Sequence, residues 1–515
     1  MTGTTIPTGV GHTGSAGIAA TSFADILPAP ASARPAAGVT YALMRHARIH
    51  TTAGSAPAEA IGHHLAGILR RSTGFPLPVV PAPSGAPAGG VWLLLTGAPA
   101  VVGDEGYVLD VTANAVVIRA RRPAGLFAGV QTLRQLLPAR VESPTVEPGP
   151  WRVPGGRIVD HPRFAYRGAM LDVARHFFTV AEVKRYVDHL CHYKLNHLHL
   201  HLTDDQGWRI MIDSWPRLAT YGGSTAVGGD PGGHYTQSQY AEIVSYAAQR
   251  YVTVVPEIDL PGHVTAALAS YPELNPDGVA PPLYTGIDVG FSSLGVGMDI
   301  TYRFVDDVMR ELAAITPGDV VHIGGDEAHA TPPPAYATFM SRAQRIVASH
   351  GKRTRAWHQI LDADVQPSTQ AQYWGTTDSN PAVAAAARAG TGLVLSPAHK
   401  AYLDMKYTNE TALGVTWAGL TEVREAYDWD PLTAVRDVPE RAVQGVEAPL
   451  WTESVRTMAE VEFMAFPRLP AIAEIGWSPA ATHDWAAFRG RLGAHGSRWR
   501  AMGIDFYASP QVPWR

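Results

Sequence analysis

Two adjacent carboxylates, Asp326 and Glu327, close the stretch Val320-Val-His-Ile-Gly-Gly-Asp-Glu-Ala-His329. The stretch opens apolar and β-branched, as a buried strand does. Its two glycines let the backbone bend, or let a ligand approach with no Cβ in the way. An acid pair where a strand runs out suits general acid/base work, in which one carboxyl delivers a proton while its neighbour stays charged. Acids also open helices as ordinary caps, so the reading depends on what the rest of the chain brings to the same place.

The same motif of chemistry at strand ends recurs along the chain. Strands are expected over 167–173, 197–203, 253–259, 320–326, 353–359, 370–374, 392–396 and 445–452. The first ends in Asp172 and Arg175, the second in Asp204 and Asp205, and the third in Glu257, Asp259 and His263. The fifth and sixth bring Trp357 and Trp374, the seventh leads to Tyr402 and Asp404, and the eighth to Trp451 and Glu453. Carboxylates and an arginine bond hydroxyl groups, and indole faces stack on the C–H face of a sugar, so this set describes a pocket for a polyhydroxylated ring.

Helical periodicity over 180–193, 237–250, 302–315 and 334–350 alternates with those strands, the mark of parallel β/α architecture. Eight strands predict a (β/α)8 TIM barrel over 151–515, with active groups at the strand C-termini. The segment 360–366 is too short for a helix after the fifth strand. A small α+β domain is expected over 36–150, with strands at 41–51 and 91–96, helices at 58–73 and 123–137, and a hairpin over 106–120. The Pro-rich stretch around 138–165 reads as the boundary, and residues 1–35 as a disordered or loosely attached leader.

Composition narrows the function classes. The 515-residue chain has a net charge of -5, which gives no reason to expect nucleic acid or an anionic membrane as partner. It has one cysteine, Cys191, so neither an internal disulfide nor a Cys-built metal site is available. His197, His199 and His201 alternate with leucines and share one face of their strand. They form either a hydrogen-bonded polar layer inside the barrel or, through His199 and His201, a zinc site for a metal-dependent hydrolase. Residues 1–20 contain no Lys or Arg and no apolar core, so they do not read as a secretory signal. The compartment stays open: outside the cell if a signal has been removed, cytoplasmic otherwise.

Six motifs in order resemble glycoside hydrolase family 20, the β-N-acetylhexosaminidases of bacterial exo-acting type. They are Leu-Asp-Val-Ala-Arg-His-Phe (171–177), His-Leu-His-Leu-Thr-Asp-Asp-Gln-Gly-Trp (199–208), Pro-Glu-Ile-Asp-Leu-Pro-Gly-His (256–263), His-Ile-Gly-Gly-Asp-Glu (322–327), Tyr-Leu-Asp (402–404) and Trp-Thr-Glu (451–453). The resemblance implies retention assisted by the substrate's own acetamido group, outside the usual two-carboxylate scheme. It implies Glu327 as general acid and base, Asp326 as orienter of the acetamide, and Tyr402 as donor to its oxygen. Arg175, Asp404 and Glu453 would hold hydroxyls, Trp357, Trp374, Trp417 and Trp451 would wall the pocket, and Asp204, Asp259 and His263 would brace it. The implied partners are β-linked N-acetylhexosamine glycans, with no cofactor or metal, for a monomer or homodimer. A disaccharide-releasing member of the same family is the alternative.

Overall fold

The computed structural model describes residues 21–515. The first body is a seven-stranded sheet: β1 (Ser32–Ala42), β2 (Ile49–Thr51), β3 (Val79–Pro81), β4 (Val91–Leu94), β5 (Tyr107–Val111), β6 (Val116–Ala120) and β7 (Arg152–Asp160). Their spatial order is β1-β7-β5-β6-β4-β2-β3. Helices α1 (Ala56–Thr73) and α2 (Pro123–Leu136) pack on it and on each other. α1 starts where the Ser55 hydroxyl accepts from the Ala58 amide and stops at Gly74, which turns left-handed at φ 66°, the usual cap chemistry at both ends.

Three expectations need correction here. Residues 1–20 lie outside the described part of the chain, but 21–35 are not loosely attached. Phe23, Ile26 and Leu27 are buried, the Leu27 amide donates to Gln135, and β1 begins at Ser32. Three apolar side chains in five residues are enough to anchor a segment that composition alone describes as Pro/Ala leader. The expected boundary at 150 also falls early, because β7 pairs with both β1 and β5 and the first domain runs to Asp160. Pro154-Gly-Gly156 imitates a linker, yet Gly156 adopts φ +145° and a Cβ there would meet Arg34 O at 2.5 Å. The glycine serves close strand packing rather than flexibility. The single strand expected over 41–51 is two, β1 and β2, with a turn between them.

The second body is the barrel. Its strands are β8 (Tyr166–Asp172) and β9 (His197–His201), then, after a two-stranded ribbon of β10 (Thr203–Asp204) and β11 (Gly207–Trp208), β12 (Thr253–Glu257) and β13 (Val320–His322). β14 (Arg353–Trp357), β15 (Gln370–Tyr373), β16 (Gly392–Leu395) and β17 (Val443–Ala448) complete it. The eight main strands close in chain order, every neighbouring pair parallel. Helices Val180–His192, Gln237–Ala248, Asp299–Ile315 and Pro333–Ser349 cover the outside, and β14 is followed only by the short 3-10 turn His358–Asp362. No helix among the described residues is long and apolar enough to cross a membrane.

One buried carboxylate ties the two bodies together. Asp160, at the end of β7, accepts from the Ala31 amide, the Tyr107 hydroxyl (2.8 Å), the Trp477 indole and Lys194 Nζ (3.3 Å). Asp160 and Lys194 side chains are both fully shielded from solvent. Removing one partner of a buried pair strands the other charge. Asp160→Ala should therefore lose about 3–5 kcal/mol of stability, read as the shift in urea unfolding at pH 7. A loss within the surface range would mean that this pair does not hold the domain joint.

Candidate active site

A cavity of about 740 Å³ opens beside the C-terminal ends of the barrel strands, with Arg175, Asp326, Glu327, Trp374, Tyr402, Trp451 and Glu453 in its lining. The backbone puts both acids there. β13 ends at His322, short of the expected 320–326, and Gly324 and Gly325 follow at φ 63° and 97°. A Cβ on Gly324 would stand 1.7 Å from Asp259 Oδ1, so only glycine fits. In an extended strand neighbouring side chains point to opposite faces, and the glycine bend removes that alternation. Glu327 itself is held left-handed at φ 45°, as is His263 at φ 55°. A non-glycine residue in that region costs on the order of 1–3 kcal/mol, and two of the six such residues among those described stand at the site.

Arg175 is locked before any ligand arrives. Its Nη1 donates to Asp172 (3.1 Å), its Nη2 lies 2.9 Å from Asp204, and its Nε donates to Gln206 (3.2 Å). The guanidinium lies 4.9 Å from the Trp451 ring centre and 4.0 Å from Glu453. Aromatic rings continue round the cavity: Trp451 and Tyr402 at 6.2 Å, Tyr402 and Trp417 at 5.9 Å, Trp417 and Trp374 at 5.8 Å. Trp374 is fixed by its indole N–H on Gln359.

His263 sits beneath the acid pair. Its Nδ1 is 3.2 Å from Asp204, and its Nε2 is 3.5 Å from Glu327 and 3.8 Å from Asp326. Burial opposes charge on this ring, but Asp204 and Glu327 outweigh it and hold His263 well above the ordinary histidine range. Of the residues expected to brace the pocket, His263 bonds Asp204 rather than Asp259. Asp259 Oδ1 accepts from the Gly325 amide instead (3.1 Å), bracing the glycine bend. Burial and the charge of Asp326 raise Asp259 far above the usual carboxylate range. Asp326 is pushed up to about 6, first by burial and then by the neighbouring Glu327, against the opposing pull of His263.

Two expected wall and hydroxyl-binding residues lie behind the cavity surface rather than in it. Trp357 is fully buried and donates its indole N–H to Glu257 at 2.9 Å. Asp404 is almost wholly shielded and receives the Trp451 amide at 3.4 Å, and burial with Glu453 nearby raises it well above the carboxylate range. Residues absent from the sequence reading are Gln206, which steadies Arg175, and Lys406, Ile287 and Val289, which line the cavity. Ile287 and Val289 come from a long segment without helix or strand between Leu274 and Asp299, where no periodicity marks them. Gln206 stands inside a motif already singled out, and only its type, a neutral amide, hid its role.

The histidine face of β9 forms a charged layer inside the barrel. His199 places Nδ1 2.8 Å from Glu447 and Nε2 3.0 Å from Glu257, and His201 places Nδ1 2.5 Å from Glu257 and Nε2 2.8 Å from Asp204. His199, Glu257 and His322 do converge closely enough to hold an ion. Burial disfavours a proton on His199, yet the two glutamates raise its pKa to about 9. Proton binding at His199 competes with any metal for the ring's lone pairs.

A barrel of this form with these groups at its mouth has known relatives. Residues 164–480 match the catalytic domain of glycosyl hydrolase family 20, and residues 24–161 match that family's domain 2. A β-N-acetylhexosaminidase of Cellulomonas fimi is 45% identical over 455 residues, 88% of this chain and 90% of that one. The solved GH20 β-N-acetylhexosaminidase of Streptomyces coelicolor A3(2) superposes with a TM-score of 0.93 at 57% identity, over 96% of this chain and 99% of that one. A mutant Streptomyces plicatus β-hexosaminidase, solved in complex with GlcNAc as product, matches with the same TM-score of 0.93 and identity of 57%, over 96% and 98% of the two chains. The chain belongs to glycosyl hydrolase family 20.

Asp326 also carries a stability signature. Its folded pKa of about 6 lies above the ordinary aspartate value of 3.8. The folded state thus binds more protons between those values, and stability falls as pH rises through them. The penalty is absent below about pH 4 and complete above about pH 6. Asp326→Asn should be the more stable protein at pH 7.5, by on the order of 1–2 kcal/mol, and the gain should vanish near pH 4. Urea unfolding of both proteins at the two pH values measures this, and an equal difference at both would contradict it.

Proposed function

We propose that this chain is a retaining exo-β-N-acetylhexosaminidase that removes terminal non-reducing GlcNAc or GalNAc with the help of the substrate's own acetamido group. The observation that carries the reading is the pairing of Asp326 and Glu327 in one cavity opposite a pre-locked Arg175. The sugar's hydroxyls meet Arg175, with Glu453 beside it and Asp404 behind. Buried Asp172, Asp204 and Asp404 back that end of the cavity, so the glycan does not continue past the bound ring, which favours exo cleavage.

In the first step the acetamido carbonyl oxygen attacks C1 and the C1–O bond to the leaving group breaks. Glu327 delivers a proton to the departing oxygen. Asp326 accepts the acetamido N–H, aims the carbonyl and offsets the positive charge of the oxazolinium ring. Tyr402 donates to the acetamido oxygen. In the second step Glu327 takes a proton from water, which adds to C1, reopens the ring and restores the β configuration. Trp374, Trp417 and Trp451 supply apolar walls, with Trp357 supporting them from below.

Release of p-nitrophenol from its β-N-acetylglucosaminide, compared with the plain β-glucoside and with EDTA in parallel, tests this. The acetamido sugar alone should be cleaved, with full activity in chelator. Comparable cleavage of both sugars, or loss of activity in EDTA, contradicts the mechanism. Glu327→Gln should lower kcat/KM by about 10²–10⁴-fold on a poor leaving group, and Tyr402→Phe by up to about 10²–10³-fold.

A further inference from the structure

We propose that His201, held against Glu257 beneath the cavity, is a positioning residue for the reaction: it fixes Asp204, and through Asp204 it sets both Arg175 and His263. The inference rests on the function just proposed and extends it to residues that touch no substrate. His201 is fully buried, and its two ring nitrogens face two carboxylates, Glu257 Oε2 at 2.5 Å and Asp204 Oδ2 at 2.8 Å. Carboxylates only accept when ionised, so both nitrogens must carry protons and the ring is an imidazolium. Its edge meets the Trp451 ring at 4.8 Å and 74°.

Asp204 is where this matters. One of its oxygens lies 2.9 Å from Arg175 and 2.8 Å from His201, and the other lies 3.2 Å from His263 and receives the Asp205 amide at 2.6 Å. Rotation of this single carboxylate would loosen the hydroxyl clamp and the histidine under Glu327 together. His201 approaches it from the barrel interior and opposes that rotation. Glu257 in turn receives the Trp357 indole and stands 2.9 Å from His322 and 3.0 Å from His199. One fully shielded anion therefore underlies both the aromatic floor and the acid's support.

The charged groups around His201 are Glu257 from β12, Asp204 from β10, Asp172 from β8, Asp259 beyond β12 and His199 on its own strand, with Arg175 and His263 across Asp204. Burial works against a charge on His201, and the carboxylates overcome it and hold the ring well above the usual histidine range. Taking away this cation makes the remaining linked groups keep their protons to higher pH.

The test is His201→Gln, whose amide can still donate to Asp204 but carries no charge. Its kcat and KM are measured from pH 4 to 9 on aryl β-N-acetylglucosaminides with good and poor leaving groups, after a thermal melt shows a folded protein. The expected result is a kcat/KM lower by up to about a hundredfold. Its pH profile should move upward by on the order of one unit, and the loss should be larger for poor leaving groups. A uniform loss with an unmoved profile would mean that His201 only fills space, and unchanged kinetics would equally overturn the proposal. If His201→Gln does not fold, Glu257→Gln carries the test, because it keeps the histidine and removes the anion. Its profile should move the opposite way, and a stationary profile would overturn the proposal. Failure of the underlying function is distinguishable, since it appears as an inactive unsubstituted enzyme on the acetamido substrates.

Discussion

Two adjacent carboxylates can serve one sugar ring only if the backbone carrying them gives up the alternation of a strand. That constraint governs the site. β13 is three residues long, and Gly324 and Gly325 turn the chain left-handed before Asp326 arrives. The turn is possible because Asp259 presses against Gly324 and bonds the Gly325 amide, so the next strand end along the barrel shapes the bend. His263 and Glu327 are both held in left-handed backbone conformations, and strain of that kind persists only where its surroundings over-determine it. The barrel supplies those surroundings.

Electrostatics follow from the same geometry. The barrel interior contains a layer of ionised groups in which Glu257 and Glu447 face His199 and His201, and Asp204 links that layer to Arg175. Buried charges are tolerated when each has partners in good geometry. Glu257 shows the balance: burial would raise its pKa, and His322, His201 and His199 instead hold it well below the glutamate range. Above this layer the balance reverses. Asp326 and Asp259 lack a full set of cationic partners, and burial with neighbouring carboxylates raises both above the usual carboxylate range. A well-paired layer thus lies beneath two poorly paired aspartates, Asp326 and Asp259.

Much of this was legible in the sequence, and the limits have physical reasons. The barrel strands could be read because short apolar or alternating runs lead into charged or aromatic residues, and six ordered motifs made the family visible. β7 was hidden because Pro154-Gly-Gly156 has a linker's composition, and only the neighbours of those glycines reveal a tightly packed strand. The anchored segment at 23–27 was hidden because the Pro/Ala-rich residues that follow it dominate the composition of the leader. Within the site, residue types were readable but partners were not. Asp204 and Asp259 are both acids at neighbouring strand ends, and nothing in their spacing says which one meets His263. The depth of Trp357 and Asp404 behind the cavity surface depends on side-chain packing that no local pattern encodes.

The central claim is that the substrate supplies its own nucleophile, and its most direct test alters that nucleophile alone. Fluorine on the acetamido methyl withdraws electrons from the carbonyl oxygen and scarcely changes its size. The measurement is kcat/KM for p-nitrophenyl glucosaminides bearing N-acetyl, N-fluoroacetyl, N-difluoroacetyl and N-trifluoroacetyl groups. The account predicts a steep, steady fall in rate with each added fluorine, because the oxygen must attack C1 in the transition state. A series of equal rates would contradict it and return the role of nucleophile to the protein.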